Sequence, residues 1–204
     1  MRLYLVRHGE TDSNKRRLLQ GHTDSELNEY GRELARRTRD GLKDVPFAAV
    51  YTSPLKRAKE TARIIMDKRD IPFYEDSRIQ EMGFGIYEGL CVEKEHYNVP
   101  DPAFLNFFYR PSEYKVPEGG ESFQGVMDRT DSFLKELYAK EEYRDQTLLI
   151  ATHGCALKAM LAGIRRLPID EFWGQGVHKN CAVTVVDVTD GQASVVEEGT
   201  IFYE

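Results

Sequence analysis

The chain has 204 residues, 41% hydrophobic and 30% charged, with 28 basic against 34 acidic side chains and a formal net charge of -6. This length and balance suit one globular domain with a sizeable core, and the acidic surface argues against nucleic acid or an anionic membrane as the main partner. There is no apolar tract of about 18 residues, and the N-terminus opens as a strand rather than as a signal-type segment, so the cytoplasm is the expected compartment. Cys91, Cys155 and Cys181 form no C-x-x-C pair and read as small buried hydrophobes, not as a disulfide framework.

The first predicted element is the strand Leu3 to Val6, which ends in Arg7-His8-Gly9. An apolar run of this length is a buried strand, and its end delivers a guanidinium and an imidazole to a sheet edge, where α/β proteins keep their sites. Arg7 carries a permanent charge and a planar fork of donors for an anion, and His8 can act as a nucleophile if its ring is held in one tautomer. The polar stretch Thr11 to Ser25 follows, too long for a tight turn. Asn14 in it lies close enough to return to the Arg7-His8 edge, whereas Arg16 and Arg17 read as a solvated face.

Asn28 to about Lys43 has helical apolar spacing, and Phe47 to Ser53 reads as a second buried strand. Ser53 is expected to cap a helix from Leu55 to about Lys68, with Pro54 in its first turn and Arg57 adding donors to a helix end that already favours anions. Ile71 to Tyr74 fits a short edge strand. The loop Arg78 to Gly89 carries Gly83, Gly85 and Gly89 among apolar and acidic residues. A carboxyl held among apolar neighbours has a raised pKa suited to giving up a proton; Glu81 is the candidate acid and Glu88 the runner-up. Residues 92–117, rich in aromatics and proline, read as a lid-like insertion, which would set substrate preference if it overhangs the site and whose aromatics are otherwise local packing. A helix from about Ser122 to Lys140 precedes the strand Thr147 to Thr152, which ends in His153-Gly154 as the first strand ends in His8-Gly9, with a helix from Ala156 to Ile164 after it. A protonated His153 beside a phosphate would be a charge-assisted donor. Ala182 to Val188 and Ala193 to Glu198 form a terminal hairpin around Asp190-Gly191.

Leu5-Val6-Arg7-His8-Gly9-Glu10-Thr11, Thr52-Ser53-Pro54-Leu55-Lys56-Arg57-Ala58, Gln80-Glu81-Met82-Gly83 and Thr152-His153-Gly154 together resemble the histidine phosphatase superfamily, in its phosphoglycerate mutase-like branch. The resemblance runs in order over nearly the whole chain. It implies a three-layer α/β/α sandwich with a mostly parallel central sheet. It also implies His8 as the residue that becomes phosphohistidine, Glu81 as acid and then base, and Arg7, Arg57 and His153 as holders of the phosphoryl oxygens. Asn14, Gln20, Gly21 and Gly154 would bind substrate at the pocket wall.

Fixed cations stabilise the equatorial oxygens of a phosphoryl group in transfer, so no metal or cofactor is expected. The expected substrate is a small phosphate ester, and the resemblance leaves room for a homodimer. Ser13 stands where relatives often carry an aromatic. Met82-Gly83-Phe84-Gly85 replaces the basic and aromatic run that follows the acid in mutases, and the insertion has only Arg110 where they carry an arginine pair. Hydrolysis of phosphomonoesters is therefore preferred over mutase activity, with a non-catalytic phosphate-binding protein as the third reading.

Overall fold

Strands whose apolar residues alternate between two buried faces build the centre of the molecule. The computed structural model describes residues 1–203. Its strands are β1 (Arg2–Arg7), β2 (Phe47–Thr52), β3 (Phe73–Glu75), β4 (Thr147–Thr152), β5 (Val183–Thr189) and β6 (Gln192–Thr200), in the sheet order β3-β2-β4-β1-β5-β6. The first four are mutually parallel, and the β5–β6 hairpin adds on antiparallel to β1. Asp190 and Gly191 both take positive φ at the hairpin turn, which its tight two-residue loop requires.

The helices are α1 (Asp12–Lys15), α2 (Glu29–Gly41), α3 (Lys56–Met66), α4 (Asn106–Tyr109), α5 (Phe123–Tyr138) and α6 (Gly154–Arg165). On one face of the sheet Leu3, Leu5, Leu148 and Ile150 meet Phe133 and Leu137 of α5 and Leu157 and Leu161 of α6. On the other, Val6, Val50, Leu149 and Ala151 meet Leu42 after α2 and Ala62 and Ile65 of α3. Helices thus cover both faces, which gives the three layers. Each fully buried Leu or Ile contributes roughly 1.5–3 kcal/mol, so the central strands are the best anchored part of the chain.

The register decides where the site falls. Arg7 pairs with Thr152, and Thr52 pairs with Ala151, so β1, β2 and β4 end level with one another. The next residues, His8, Ser53 and His153, therefore emerge side by side at the carboxyl edge of the sheet.

Two local expectations change. Ser53 does not cap α3. The helix begins at Lys56 with Leu55 as its N-cap, and the Lys56 N–H is taken by Asp24 Oδ1 at 2.7 Å, while Ser53 Oγ accepts the N–H of Leu55, ahead of the helix, at 3.3 Å and lies 2.8 Å from His153 Nε2. Second, α6 begins at Gly154, two residues earlier than expected, which aims its first N–H groups at the site. The aromatics of 92–117 pack among themselves: Phe107 stacks on Phe104 and Phe123 with centroids 5.6 and 5.3 Å apart, and its carbonyl accepts from Trp173 Nε1 at 2.6 Å. They form a satellite core under α5 and α6. Among the described residues no helix is long and apolar enough to cross a membrane.

Candidate active site

His8 is buried at the end of β1, and its Nδ1 lies 2.7 Å from its neighbour's carbonyl, Gly9 O. A carbonyl only accepts, so Nδ1 carries the proton and Nε2 keeps a free lone pair. The backbone around it is fixed as well. His8 N–H donates to Thr152 O at 2.9 Å, Gly9 N–H donates to Thr61 Oγ1 at 2.9 Å, and Asn180 Nδ2 donates to His8 O at 2.9 Å. Burial, then the charges of Arg57 and Arg7, push the His8 pKa well below the ordinary histidine value, so the ring is neutral.

His153 lies beside it, the two ring centroids 5.1 Å apart. Arg57 Nε donates to His153 Nδ1 at 3.2 Å, which leaves Nε2–H to donate to Ser53 Oγ at 2.8 Å. In this arrangement, with no phosphate beside it, His153 is neutral. Burial and then Arg57 hold its pKa well below the usual range. Arg57 is itself fully buried, its Nη1 and Nη2 donating to Thr23 O and Gly21 O, each at 2.7 Å. Burial lowers its pKa to about 10 against the opposing pull of Glu81, so it stays charged at neutral pH. Arg7 donates through Nη1 to the His178 carbonyl and has a buried Nε with no partner among the described residues. A buried N–H without an acceptor costs free energy that an incoming anion would recover.

Glu81 is buried, and its carboxyl meets main-chain donors rather than the apolar side chains expected. Oε1 accepts from Met82 N, Cys155 N and Ala156 N at 3.0, 3.0 and 3.1 Å, while Oε2 shares the Cys155 N–H at 3.1 Å. It thus caps the first turn of α6. The loop's apolar side chains, Met82 and Phe84, turn away into the satellite core. Glu88, the runner-up, is tied elsewhere: its oxygens accept from His22 N and Thr23 N, each at 2.7 Å. Burial alone would raise the Glu88 pKa, but the hydrogen bonds from Thr23 and His22 outweigh it and bring the pKa down.

A Cβ placed on Gly154 would lie 3.5 Å from both Arg7 Nε and Glu81 Oε2, so these two groups border the same space, and 2.8 Å from Val177 Cγ1, which would have to shift. Asn14 closes a capping box with Thr11, its Oδ1 accepting from Thr11 N at 3.1 Å, and its Nδ2 has no partner among the described residues. Gln20 accepts from Thr11 Oγ1 at 2.8 Å and leaves a buried Nε2 unpartnered. Gly21 lends its carbonyl to Arg57, and a side chain there would meet Met82 O at 2.3 Å. From Arg7 and Asn14 a cleft of about 730 Å³ runs outward, lined also by Arg17, Tyr30, Val177 and Tyr203. Arg17, read as a solvated face, therefore borders the cleft. Of residues 92–117 only Val92 lines it.

Sequence reasoning missed the residues that hold this edge through main-chain carbonyls. Arg129 Nη1 donates to Arg78 O and Gln80 O at 2.7 and 2.8 Å and Nη2 to Glu81 O at 3.1 Å, and His22 Nε2 meets the same Glu81 O at 3.0 Å. A cation placed between Val126 and Phe133 in the apolar stripe of α5 was the available signal. Among the described residues no three His, Cys, Asp or Glu side chains are grouped to hold a metal ion. All three cysteines are buried and free, and burial pushes the Cys155 thiol well up and Cys181 to about 12, so neither is a thiolate.

The chain is 32% identical over 197 residues to an adenosylcobalamin/alpha-ribazole phosphatase of Salmonella typhimurium, covering 96% of this chain and 94% of that one. It is 34% identical over 191 residues to a metal-independent phosphoserine phosphatase of Arabidopsis thaliana, covering 92% and 76%. The solved structure of Bacillus stearothermophilus YhfR superposes with a TM-score of 0.90 at 37% identity, covering 98% of this chain and 97% of that one. A sequence model of the histidine phosphatase superfamily (branch 1) matches residues 3–200. With that match spanning β1 through β6, the chain belongs to the histidine phosphatase superfamily, branch 1, as a phosphomonoesterase-type hydrolase.

Proposed function

We propose that the protein hydrolyses small phosphate monoesters without a metal, by double displacement through a phosphohistidine at His8. The observation that carries this is the His8 ring itself: Nδ1–H is spent on Gly9 O at 2.7 Å, so a neutral Nε2 is free, while Arg7, whose charge reaches the ring, keeps an Nε with no partner among the described residues. In the first step the Nε2 lone pair attacks phosphorus, the ester P–O bond breaks, and the departing oxygen takes a proton from Glu81. In the second, water attacks phosphorus while Glu81 takes its proton, the P–N bond breaks, and inorganic phosphate leaves. Glu81 Oε2 is the oxygen suited to carry that proton, since Oε1 accepts three N–H groups.

Arg7, Arg57, His153 and the Asn14 amide would hold the phosphoryl oxygens, with Gln20 Nε2 as a further donor. A bound phosphoryl group gives Arg7 Nε an acceptor and adds negative charge beside His153, which favours its protonated form; His153 Nδ1 then gives up the Arg57 N–H it accepts, and the freed Arg57 donor turns to the phosphoryl oxygens. The two guanidinium groups are fixed before substrate arrives, Arg57 by the Thr23 and Gly21 carbonyls and Arg7 by that of His178, the condition for electrostatic stabilisation of the transferring group. Relatives named for alpha-ribazole and for phosphoserine support a phosphate ester and leave its organic part open.

The test is phosphate release from a panel of monoesters in excess chelator, with 3-phosphoglycerate plus its bisphosphate included. The expected result is turnover that survives the chelator in the wild type and falls at least a thousandfold in His8→Ala. Activity retained by His8→Ala contradicts the covalent route, and isomer interconversion without phosphate release would mark a mutase.

A further inference from the structure

The cleft that leaves the catalytic edge is lined by three cations that the hydrolytic steps do not use: Lys15, Arg17 and Lys179. None makes a side-chain ion pair or hydrogen bond among the described residues. Most arginines of α2, by contrast, are paired with glutamates on the same helix. One carboxylate, Glu10, also lines the cleft, but its Oε1 is occupied by Asn28 Nδ2 at 2.9 Å. The cleft therefore presents net positive charge on a molecule whose total is -6.

The backbone that carries Arg17 is held on both sides. Its φ of 54° lies in the left-handed region, which a non-glycine residue adopts only when the surroundings enforce it. Here Arg17 N donates to Asn14 O at 3.1 Å and Arg17 O accepts from Val92 N at 3.0 Å, with Leu18 bridged to Cys91 next door. Asn14 thus belongs at once to the catalytic edge and to the turn that aims Arg17. The Arg17 charge also reaches Arg7, whose pKa it helps burial to lower.

A backbone held in a costly conformation, ending in an unpaired cation over an open cleft, is preorganised to receive an anion. Arg7 and Arg57 already serve the reacting phosphoryl group, so this anion is a second one on the same molecule. We propose that Arg17, with Lys15 and Lys179, forms a subsite for a second negative group, so that the preferred substrates are short phosphate monoesters that also carry a carboxylate or another phosphate. This rests on the reading of the catalytic edge given under Proposed function.

The test compares kcat/KM for 3-phosphoglycerate and phosphoserine (carboxylate), fructose 1,6-bisphosphate (second phosphate), and glycerol 2-phosphate and a nucleoside monophosphate (no second anion). The proteins are the wild type, Arg17→Asn, whose side chain tolerates the left-handed backbone, and Lys179→Gln. The wild type is expected to favour at least one doubly charged ester over glycerol 2-phosphate tenfold or more. The carboxylate and bisphosphate arms tell which second group it is. In Arg17→Asn that ratio is expected to fall at least fivefold, mainly through KM, and in Lys179→Gln by a smaller factor. The wild-type preference should also shrink as salt rises, because these cations are exposed.

No preference for doubly charged esters in the wild type, a preference for the nucleoside monophosphate, or an unchanged ratio in both variants overturns the subsite and leaves the phosphatase reading standing. Absence of turnover on every ester overturns that reading as well.

Discussion

At the scale of single residues, the site depends on two imidazoles kept neutral where histidine is usually half charged. His8 and His153 are buried next to Arg57 and Arg7, and these causes lower both pKa values well below 6.5. In the unfolded chain the same rings take up protons near pH 6.5. Below that value the unfolded state binds more protons than the native state, so acidification destabilises the fold until the native rings titrate. Each ring contributes a slope of about 1.4 kcal/mol per pH unit in this window. Urea midpoints measured at pH 7.0, 6.0 and 5.5 should therefore fall steadily, with a shallower fall in His8→Asn; stability that stays flat over this range contradicts the assignment of neutral rings.

The two histidines were legible in the sequence because an apolar strand that stops at His-Gly is a strong local pattern. The surroundings of Glu81 were not. Composition reports which side chains are near in sequence, but the Glu81 carboxylate is met by the N–H groups of Cys155 and Ala156, about 74 residues away along the chain, while Met82 and Phe84 turn into the core.

At the scale of elements, two helix beginnings and one loop are locked together at the sheet edge. The start of α6 supplies N–H groups to Glu81, and the first turn of α3 supplies Arg57. Arg129 of α5 staples the 78–81 loop by its carbonyls, its other side held by Glu121 through Nε at 2.7 Å. Contacts of this kind leave little trace in composition, since an arginine can bond any carbonyl; the same holds for the His178 carbonyl that holds Arg7. Replacing Arg129 by Met keeps much of its volume and removes the staple. The expected cost is about 2–4 kcal/mol of stability, with a lower kcat on alkyl phosphates as Glu81 loses its fixed position. Chemical denaturation and steady-state kinetics on a poor leaving group check this; an Arg129→Met protein with wild-type kcat would show that the loop needs no staple. The cap of α3 was misplaced in sequence for a related reason: Ser53 fits a helix cap, but its hydroxyl serves His153, and Asp24 from a distant loop caps the helix.

At the scale of the whole molecule, the unbroken apolar runs of β1, β2 and β4 foretold strands buried on both faces, and the sheet is covered on both. The resemblance carried the order of the parts. Neither could place the aromatic residues of 92–117, whose mutual stacking is a tertiary outcome of many similar rings choosing partners. What the whole fold achieves is the level ending of three parallel strands, which brings His8, Ser53 and His153 to one edge and lets Arg57 and Glu81 close around it. If that convergence makes His8 Nε2 the nucleophile, the phosphoryl group must pass through it. The most direct measurement is rapid quenching of Glu81→Gln during turnover of an aryl phosphate, whose good leaving group needs little protonation while water attack lacks its base. The account predicts acid-labile, alkali-stable phosphate approaching one per chain on His8 and none in the His8→Ala, Glu81→Gln double variant; phosphate on another side chain, or a burst of product with no phosphoenzyme, would contradict it.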